Sequence, residues 1–132
     1  MNKAAQADSG HEARGLAFLE TEQFEAAAAE FRKGIAAQSD STRLRFLLGE
    51  ALEKWGARFD EAAAVYEELL RLNPGHAEAH LRLGAILEYN VGDDTRALSL
   101  YQRYLELDPN SPRRAEVERW IHDLRQSSAA FE

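Results

Sequence analysis

The chain contains an internal repeat with a period of about 35 residues, and this repeat constrains the fold more than any other feature. Five kinds of residue recur at spacings of 34 or 35 positions. The recurring sets are Gly15, Gly49 and Gly84; Phe18, Leu52 and Leu87; Ala27, Ala62 and Ala97; Phe31, Tyr66 and Tyr101; and Ser39, Pro74 and Pro109. A repeat of this length is one supersecondary unit that buries its apolar face only against neighbouring units. The chain is therefore predicted to be a stack of three similar units.

Each repeat divides into two amphipathic segments, in which apolar residues recur three and four positions apart. We predict first helices at about 8–20, 42–54 and 77–90, and second helices at about 24–37, 60–72 and 94–107. The connecting segments contain helix breakers, among them Gly56, Gly75 and Pro109. No segment alternates in the manner of a strand, so the predicted fold is all-α.

A seventh helix is predicted at 112–126, because Ser111 and Pro112 supply an N-cap and a first-turn proline. Its apolar stripe consists of Val117, Trp120, Ile121 and Leu124. This helix is expected to cap the apolar face that the third repeat would otherwise expose. The domain is predicted to span residues 8–126, with repeats at about 8–41, 42–76 and 77–111. Residues 1–7 are expected to be flexible, and residues 127–132 are expected to fray.

Charge and composition exclude several classes of function. The chain has 132 residues, a net charge of −7 and no cysteine. Nucleic-acid and anionic-membrane binders need a surplus of Lys and Arg, which is lacking here. Neither a disulfide nor a thiolate metal site can form, and no segment is apolar and long enough to insert into a membrane. No signal peptide is recognisable, so the expected location is the cytoplasm, or the periplasm if the chain is a trimmed part of a secreted protein.

The repeat pattern resembles a known family, the tetratricopeptide repeat. The resemblance rests on a glycine in the first helix, an alanine and an aromatic residue in the second helix, and a closing proline. It covers about residues 8–126 and implies a right-handed superhelix (an α-solenoid) of helix-turn-helix repeats that binds proteins. The departures are Ser39 in place of the first proline, one extra residue near Gly56 and another near Gly92, and Tyr104 where the family usually has alanine.

In such superhelices the first helices line a concave groove, so the residues opposite each first-helix glycine are candidates for partner binding. These residues are Glu12, Leu16, Leu19, Arg43, Phe46, Glu50, Glu53, Glu78, Leu81, Ala85, Glu88 and Tyr89. Large apolar groups among carboxylates are typical of a peptide-binding surface. The predicted function is therefore an adaptor that binds a basic and apolar peptide or helix of a partner protein, with Phe46 and Tyr89 as anchors.

Two other functions remain open. A self-associating scaffold would take a segment of a second copy in the groove, and a chaperone of the secretion type would take an unfolded client. The chain is accordingly expected to be a monomer or a weak homo-oligomer.

A further subtype within the family is excluded by its residues. Co-chaperones that bind the C-terminal carboxylates of heat-shock proteins use a Lys/Asn/Asn/Lys/Arg clamp, and the corresponding residues here are Glu12, Leu16, Leu47, Glu78 and Arg82.

Catalysis, cofactors and metals are not predicted. His76 and His80 are four residues apart, but the sequence arranges no third ligand beside them. Carboxylate pairs such as Glu67 and Glu68 lie on predicted solvent-exposed helix faces, where general acid–base chemistry lacks a desolvated pocket. Trp55 lies beside the extra residue of the second repeat. It is interpreted as a staple for the widened turn or as a contact residue at the loop edge of the stack.

Overall fold

The computed structural model describes residues 3–129, and side chains for residues 10–127. Seven α-helices follow one another, with no strand between residues 3 and 129. They are α1 (Lys3–Glu20), α2 (Phe24–Ala37), α3 (Thr42–Trp55), α4 (Phe59–Leu72), α5 (Ala77–Ile86, continued by a π-helical turn at Leu87–Val91), α6 (Asp94–Leu107) and α7 (Arg114–Ala129). The chain divides into two compact units, residues 1–73 with α1–α4 and residues 74–132 with α5–α7. Each unit is described by itself.

In the first unit, an aromatic ring of the second helix lies directly on a glycine of the first helix in both repeats. A Cβ atom built on Gly15 would lie 2.3 Å from Cε1 of Phe31, and one built on Gly49 would lie 2.5 Å from Cε1 of Tyr66. Both rings are fully buried. No side chain larger than hydrogen fits at either glycine, so the glycines permit the close approach of α1 to α2 and of α3 to α4.

The second unit repeats this arrangement and adds the last helix. A Cβ atom on Gly84 would lie 2.7 Å from Cε1 of Tyr101 on α6. On the other side, α7 packs against α6 and buries Val117, Ile121 and Leu124. Burying each aliphatic side chain contributes about 1.5–3 kcal/mol before entropy costs. The last helix therefore covers apolar surface of the third repeat.

Tyr104, the residue that replaces the family's usual alanine, ties α6 to the start of α7. It is 3% exposed, and its hydroxyl lies 2.5 Å from Oγ of Ser111. The same Oγ atom accepts a hydrogen bond from the backbone N–H of Arg113 at 3.1 Å. Ser111 thus orders the turn that leads into α7. Helix α7 begins at Arg114, so the predicted start at residue 112, with Ser111 as N-cap and Pro112 in the first turn, is wrong.

The extra residue of the second repeat and that of the third are accommodated in different ways. After α3, Gly56 and Ala57 adopt positive φ angles of 79° and 55° and turn the chain. After α5, the helix widens into a π-helical turn, and the N–H of Gly92 donates to the carbonyl oxygen of Leu87 at 2.7 Å. A π turn absorbs one inserted residue without ending the helix. The same insertion therefore changes a loop in one repeat and a helix in the other.

The observed bounds correct several predicted ones. Helices α2 and α6 have the predicted ends, and the predicted first helix at 77–90 is an α-helix only to Ile86. Helix α1 begins at Lys3 instead of residue 8, and α7 runs to Ala129 instead of residue 126. Helical backbone thus includes residues 3–7 and 127–129, which were expected to be flexible or frayed. Residues 1, 2 and 130–132, which belong to the same two predictions, lie outside the described residues.

Candidate functional site

The predicted binding residues of the first unit lie on α1 and α3, and we call them the α1–α3 face. The set is Glu12, Leu16, Leu19, Arg43, Phe46, Glu50 and Glu53. Leu16, Leu19 and Phe46 are neither buried nor fully exposed. The ring of Phe46 packs against Tyr66, with centroids 5.9 Å apart and planes tilted by 56°. A buried ring thus supports Phe46 from below, which keeps its accessible side pre-positioned for contact with a partner.

An ion pair joins the two helices of this face. Nε of Arg43 donates to Oε1 of Glu12 at 2.7 Å, across 31 residues of sequence. The side chain of Arg43 is 66% exposed, so solvent screens the pair, and its contribution to stability is small. The pair does neutralise the only cation of the face. With three glutamates and one arginine, the face as a whole is negative.

Two of the predicted binding carboxylates accept hydrogen bonds from buried tyrosines. The hydroxyl of Tyr66 donates to Oε2 of Glu53 at 2.5 Å, and that of Tyr101 donates to Oε1 of Glu88 at 2.8 Å. Burial, followed by the bond to Glu88, raises the pKa of Tyr101 well above its usual range. Tyr101 therefore stays a protonated donor. These carboxylates are held in place by the core, which the sequence interpretation of them as surface acids missed.

The predicted residues of the second unit lie on α5 and its π turn, and we call them the α5 face. The set is Glu78, Leu81, Ala85, Glu88 and Tyr89. Leu81 is only 2% exposed, so its assignment as a binding residue is wrong. A helical wheel places residues by angle alone, and a side chain near the edge of the apolar arc is covered when a helix has neighbours on more than one side. Leu81 belongs to the core.

The remaining members of the α5 face are accessible. Glu78 accepts a hydrogen bond from Nε of Arg82 at 3.1 Å, an ion pair within one helix. Tyr89 is 69% exposed. The negative charge of Glu88, then burial, then Asp123 raises the pKa of Tyr89. An exposed aromatic ring beside two carboxylates favours a cationic or amphipathic contact.

Sequence reasoning missed four contributors to these faces: Tyr66, Tyr101, Arg82 and Asp123. A signal for the tyrosines was present, because repeats two and three place Glu and Tyr 13 residues apart, at Glu53/Tyr66 and Glu88/Tyr101. Repeat one has Leu19 and Phe31 at the corresponding positions. In each of the three repeats, the glutamate and the tyrosine hydroxyl are thus either both present or both absent. Nothing in the sequence indicated that Asp123 lies close enough to Tyr89 to affect it.

The two histidines considered as metal ligands form hydrogen-bond contacts at the start of α5. Nδ1 of His76 accepts the N–H of Ala79 at 3.1 Å as an N-cap, and Nε2 of His80 lies 2.9 Å from the carbonyl oxygen of Pro74. Among the side chains that the structure describes, residues 10–127, no three His, Asp or Glu are grouped as metal ligands would be. Over the same described range, no helix has the length and hydropathy needed to cross a bilayer.

Comparison with known proteins decides the family. The family model described as "Tetratricopeptide repeat" matches residues 12–57 and 56–112. The chain belongs to the tetratricopeptide repeat family. The predicted family and the predicted all-α tetratricopeptide fold are therefore confirmed.

Proteins similar to this tetratricopeptide chain include a receptor and several solved domains. The chain is 34% identical over 64 residues to the peroxisomal targeting signal receptor of Pichia angusta, a match that spans 48% of the chain and 11% of that receptor. The first tetratricopeptide domain of Spaghetti (RPAP3), solved with an HSP90 peptide, aligns at a TM-score of 0.82 with 22% identity, covering 94% of both chains. The Yersinia enterocolitica secretion chaperone SycD, solved with a peptide of the translocator YopD, aligns at 0.81 with 16% identity, covering 91% of this chain and 93% of SycD.

Proposed function

We propose that this chain is a protein-interaction adaptor whose α1–α3 face binds a segment of a partner protein carrying apolar and basic side chains. The observation that carries the proposal is the set of partly exposed apolar side chains, Leu16, Leu19 and Phe46, on a face that carries three glutamates and one arginine. Accessible apolar groups bordered by charge favour a protein contact. No catalytic residue is part of the proposal.

The charge of the face selects the chemistry of the partner. The face carries three glutamates and one arginine, so the field that an approaching segment meets is negative. The hydroxyl of Tyr66 fixes the orientation of the Glu53 carboxylate. A carboxylate that is already oriented loses less conformational freedom when a Lys or Arg side chain pairs with it. Basic segments are therefore favoured, and acidic segments are repelled.

The similar solved structures support a peptide as the partner of this chain, but the residues of this chain favour a peptide of different charge. Spaghetti (RPAP3) and SycD were both solved with bound peptides. The carboxylate clamp of heat-shock co-chaperones has Lys, Asn and Lys where this chain has Glu12, Leu47 and Glu78, and Leu47 is buried here. The α5 face, with Tyr89 exposed, is a second contact region of the same chemistry. We therefore expect a peptide contact, as in these solved structures, but with a basic segment in place of the acidic HSP90 peptide SRMEEVD.

Fluorescence polarisation with labelled peptides tests the proposal. The probe is a 12-residue peptide of alternating Leu and Lys, and its comparator carries Glu at every Lys position. The Lys peptide should bind more tightly by about tenfold or more, and Phe46→Ala should weaken its binding by about tenfold. Leu72→Ala is the matched control, because Leu72 is also an exposed apolar residue, at 44%, but lies off both faces. Equal binding of the two peptides, or an unchanged affinity of Phe46→Ala, would refute the proposal.

Light scattering over a concentration series separates the adaptor from a self-associating scaffold. An adaptor stays near the monomer mass of 14.8 kDa at all concentrations. A scaffold that uses the α1–α3 face gains mass with concentration, and Phe46→Ala abolishes that gain. The cytoplasm stays the predicted location.

A further inference from the structure

A cavity of about 510 Å³ lies at the loop edge of the first unit, away from the α1–α3 face. We call it the loop-edge cavity. It lies between the α1–α2 turn, the first turns of α2 and the end of α3, and its lining includes Glu22, Phe24, Glu25, Ala26, Ala29 and Trp55. Two aromatic side chains, two alanines and two carboxylates thus surround one opening. None of these residues belongs to the α1–α3 face, so a ligand here does not depend on the function proposed above.

The aromatic wall of this cavity already binds a guanidinium within the protein. The guanidinium carbon of Arg58 lies 3.7 Å from the centre of the Trp55 ring, a cation–π stack. Arg58 also donates to Glu61 at 2.9 Å, which holds it in that position. The stack explains how Trp55 steadies the turn that contains the extra residue. Arg58 is not part of the cavity lining, so the cavity itself stays open.

Glu22 has a backbone conformation that glycine would adopt more easily. Its φ angle is 58°, in the left-handed region. The N–H of Glu22 donates to the carbonyl oxygen of Leu19 at 3.0 Å. The N–H of Gln23 donates to the carbonyl oxygen of Phe18 at 2.8 Å. These two bonds form a Schellman motif, whose left-handed position is usually glycine. A glutamate at this position therefore carries a conformational cost that a glycine would remove.

The charge of the lining selects the ligand. Glu22 and Glu25 are exposed acids, and no Lys or Arg lines the cavity. A planar guanidinium combines stacking on aromatic rings with paired hydrogen bonds to carboxylates, which a lysine ammonium cannot do. We propose that the loop-edge cavity is a second docking site, which receives an arginine side chain from a partner protein segment. The aliphatic stem of the arginine contacts Ala26 and Ala29, and the guanidinium pairs with Glu22 and Glu25.

Nuclear magnetic resonance of the full chain tests this proposal through the two indole N–H signals. Trp120→Phe assigns them, because the chain has only two tryptophans. The probe is acetyl-Leu-Arg-Leu-amide, and its comparator contains citrulline, which has the shape of arginine without its charge. The arginine peptide should shift the Trp55 indole signal saturably at concentrations up to about 5 mM, with binding at least about fivefold tighter than the citrulline peptide. The Trp120 signal should not move.

Two variants separate binding from folding. Glu22→Gly should weaken the arginine peptide by about fivefold and leave the melting temperature equal or higher, because glycine suits the left-handed backbone. Glu20→Gln is the matched control, since Glu20 is an exposed acid two residues away that does not line the cavity, and it should bind like the parent.

Four outcomes would overturn the proposal. The first is an immobile Trp55 indole signal, and the second is equal affinity for the citrulline peptide. The third is unchanged binding by Glu22→Gly. The fourth is equally tight binding of the free amino-acid derivative acetyl-arginine-amide, which would indicate a small-cation site instead of a protein docking site.

Discussion

The hydroxyl of Tyr66 lies 2.5 Å from the carboxylate of Glu53, and the hydroxyl of Tyr101 lies 2.8 Å from that of Glu88. Both bonds span 13 residues and connect a buried ring to a carboxylate on a first helix. Each ring also lies on the first-helix glycine of its own repeat. One residue thus sets the spacing between the two helices and the position of a charge on the candidate binding face.

This relationship predicts the behaviour of the first repeat. Phe31→Tyr places a hydroxyl beside Leu19, which offers no acceptor, and should reduce the free energy of unfolding by about 1–3 kcal/mol. Adding Leu19→Glu supplies the acceptor and should restore at least half of the loss. Urea denaturation of the parent, the two single variants and the double variant measures this coupling. Strict additivity of the two changes would show that the repeats do not share this bond.

The glycines predict a second effect. Gly49→Ala places a Cβ atom 2.5 Å from the ring of Tyr66, so it should lower the free energy of unfolding by about 1–3 kcal/mol. Gly10→Ala is the control, because the first atom it meets is the flexible end of Arg14 at 3.3 Å. That variant should be neutral or more stable by about 0.5–1 kcal/mol, from helix propensity. Thermal unfolding distinguishes the two, and equal stabilities would contradict the proposed packing role of Gly49.

Most of the fold followed from the sequence, because the recurring glycine, alanine and aromatic positions report contacts between neighbouring helices. The ends of α2 and α6 agreed with prediction, since polar turns bound both helices and Gly92 and Pro109 stand beside α6. The π turn after Ile86 was not predictable, because an inserted residue is equally compatible with a longer loop, as at Gly56. Leu81 was misassigned because a helical wheel carries no information about which neighbours cover an element.

Glu30 predicts a pH dependence of stability. Its carboxylate lies 2.8 Å from Nδ1 of His11 and 3.2 Å from Nε of Arg14. The bond to His11, followed by the contacts with Arg14 and Lys33, outweighs burial and lowers the pKa of Glu30. A lowered carboxyl pKa in the folded state stabilises the protein above the ordinary pKa of glutamate, and this stability is lost as the pH falls through the folded-state pKa.

The test of this pH dependence is Glu30→Gln. The variant should be less stable than the parent by about 1 kcal/mol at pH 7, and the difference should shrink as the pH falls from about 5 towards 3. Urea midpoints at several pH values measure the difference. Glu106→Gln, which removes an exposed acid paired with Arg103 in its own helix, should show a much smaller effect. A constant difference for Glu30→Gln over this pH range would contradict the assignment.

The turn after α3 predicts that one residue can be improved. Ala57 has a φ angle of 55°, which costs an L-amino acid about 1–2 kcal/mol relative to glycine. Ala57→Gly should therefore raise the free energy of unfolding by about 0.5–1 kcal/mol, since the greater flexibility of glycine in the unfolded chain offsets part of the gain. Ala64→Gly, at an exposed position in the middle of α4, should lower it by about 1 kcal/mol. Opposite signs for the same substitution in one denaturation series are the expected result.

The difference between the Leu19–Phe31 pair and the two Glu–Tyr pairs limits how this gene can recombine. A crossover in the turn between the helices of one repeat would join a leucine-bearing first helix to a tyrosine-bearing second helix, or the reverse. In the first product, a buried tyrosine hydroxyl would face a leucine and find no acceptor. In the reverse product, a phenylalanine ring would lie beneath a glutamate and offer it no donor. A crossover between repeats keeps every pair intact. Duplication, deletion and shuffling in this lineage should therefore occur in whole helix pairs, with boundaries near Ser39 and Pro74.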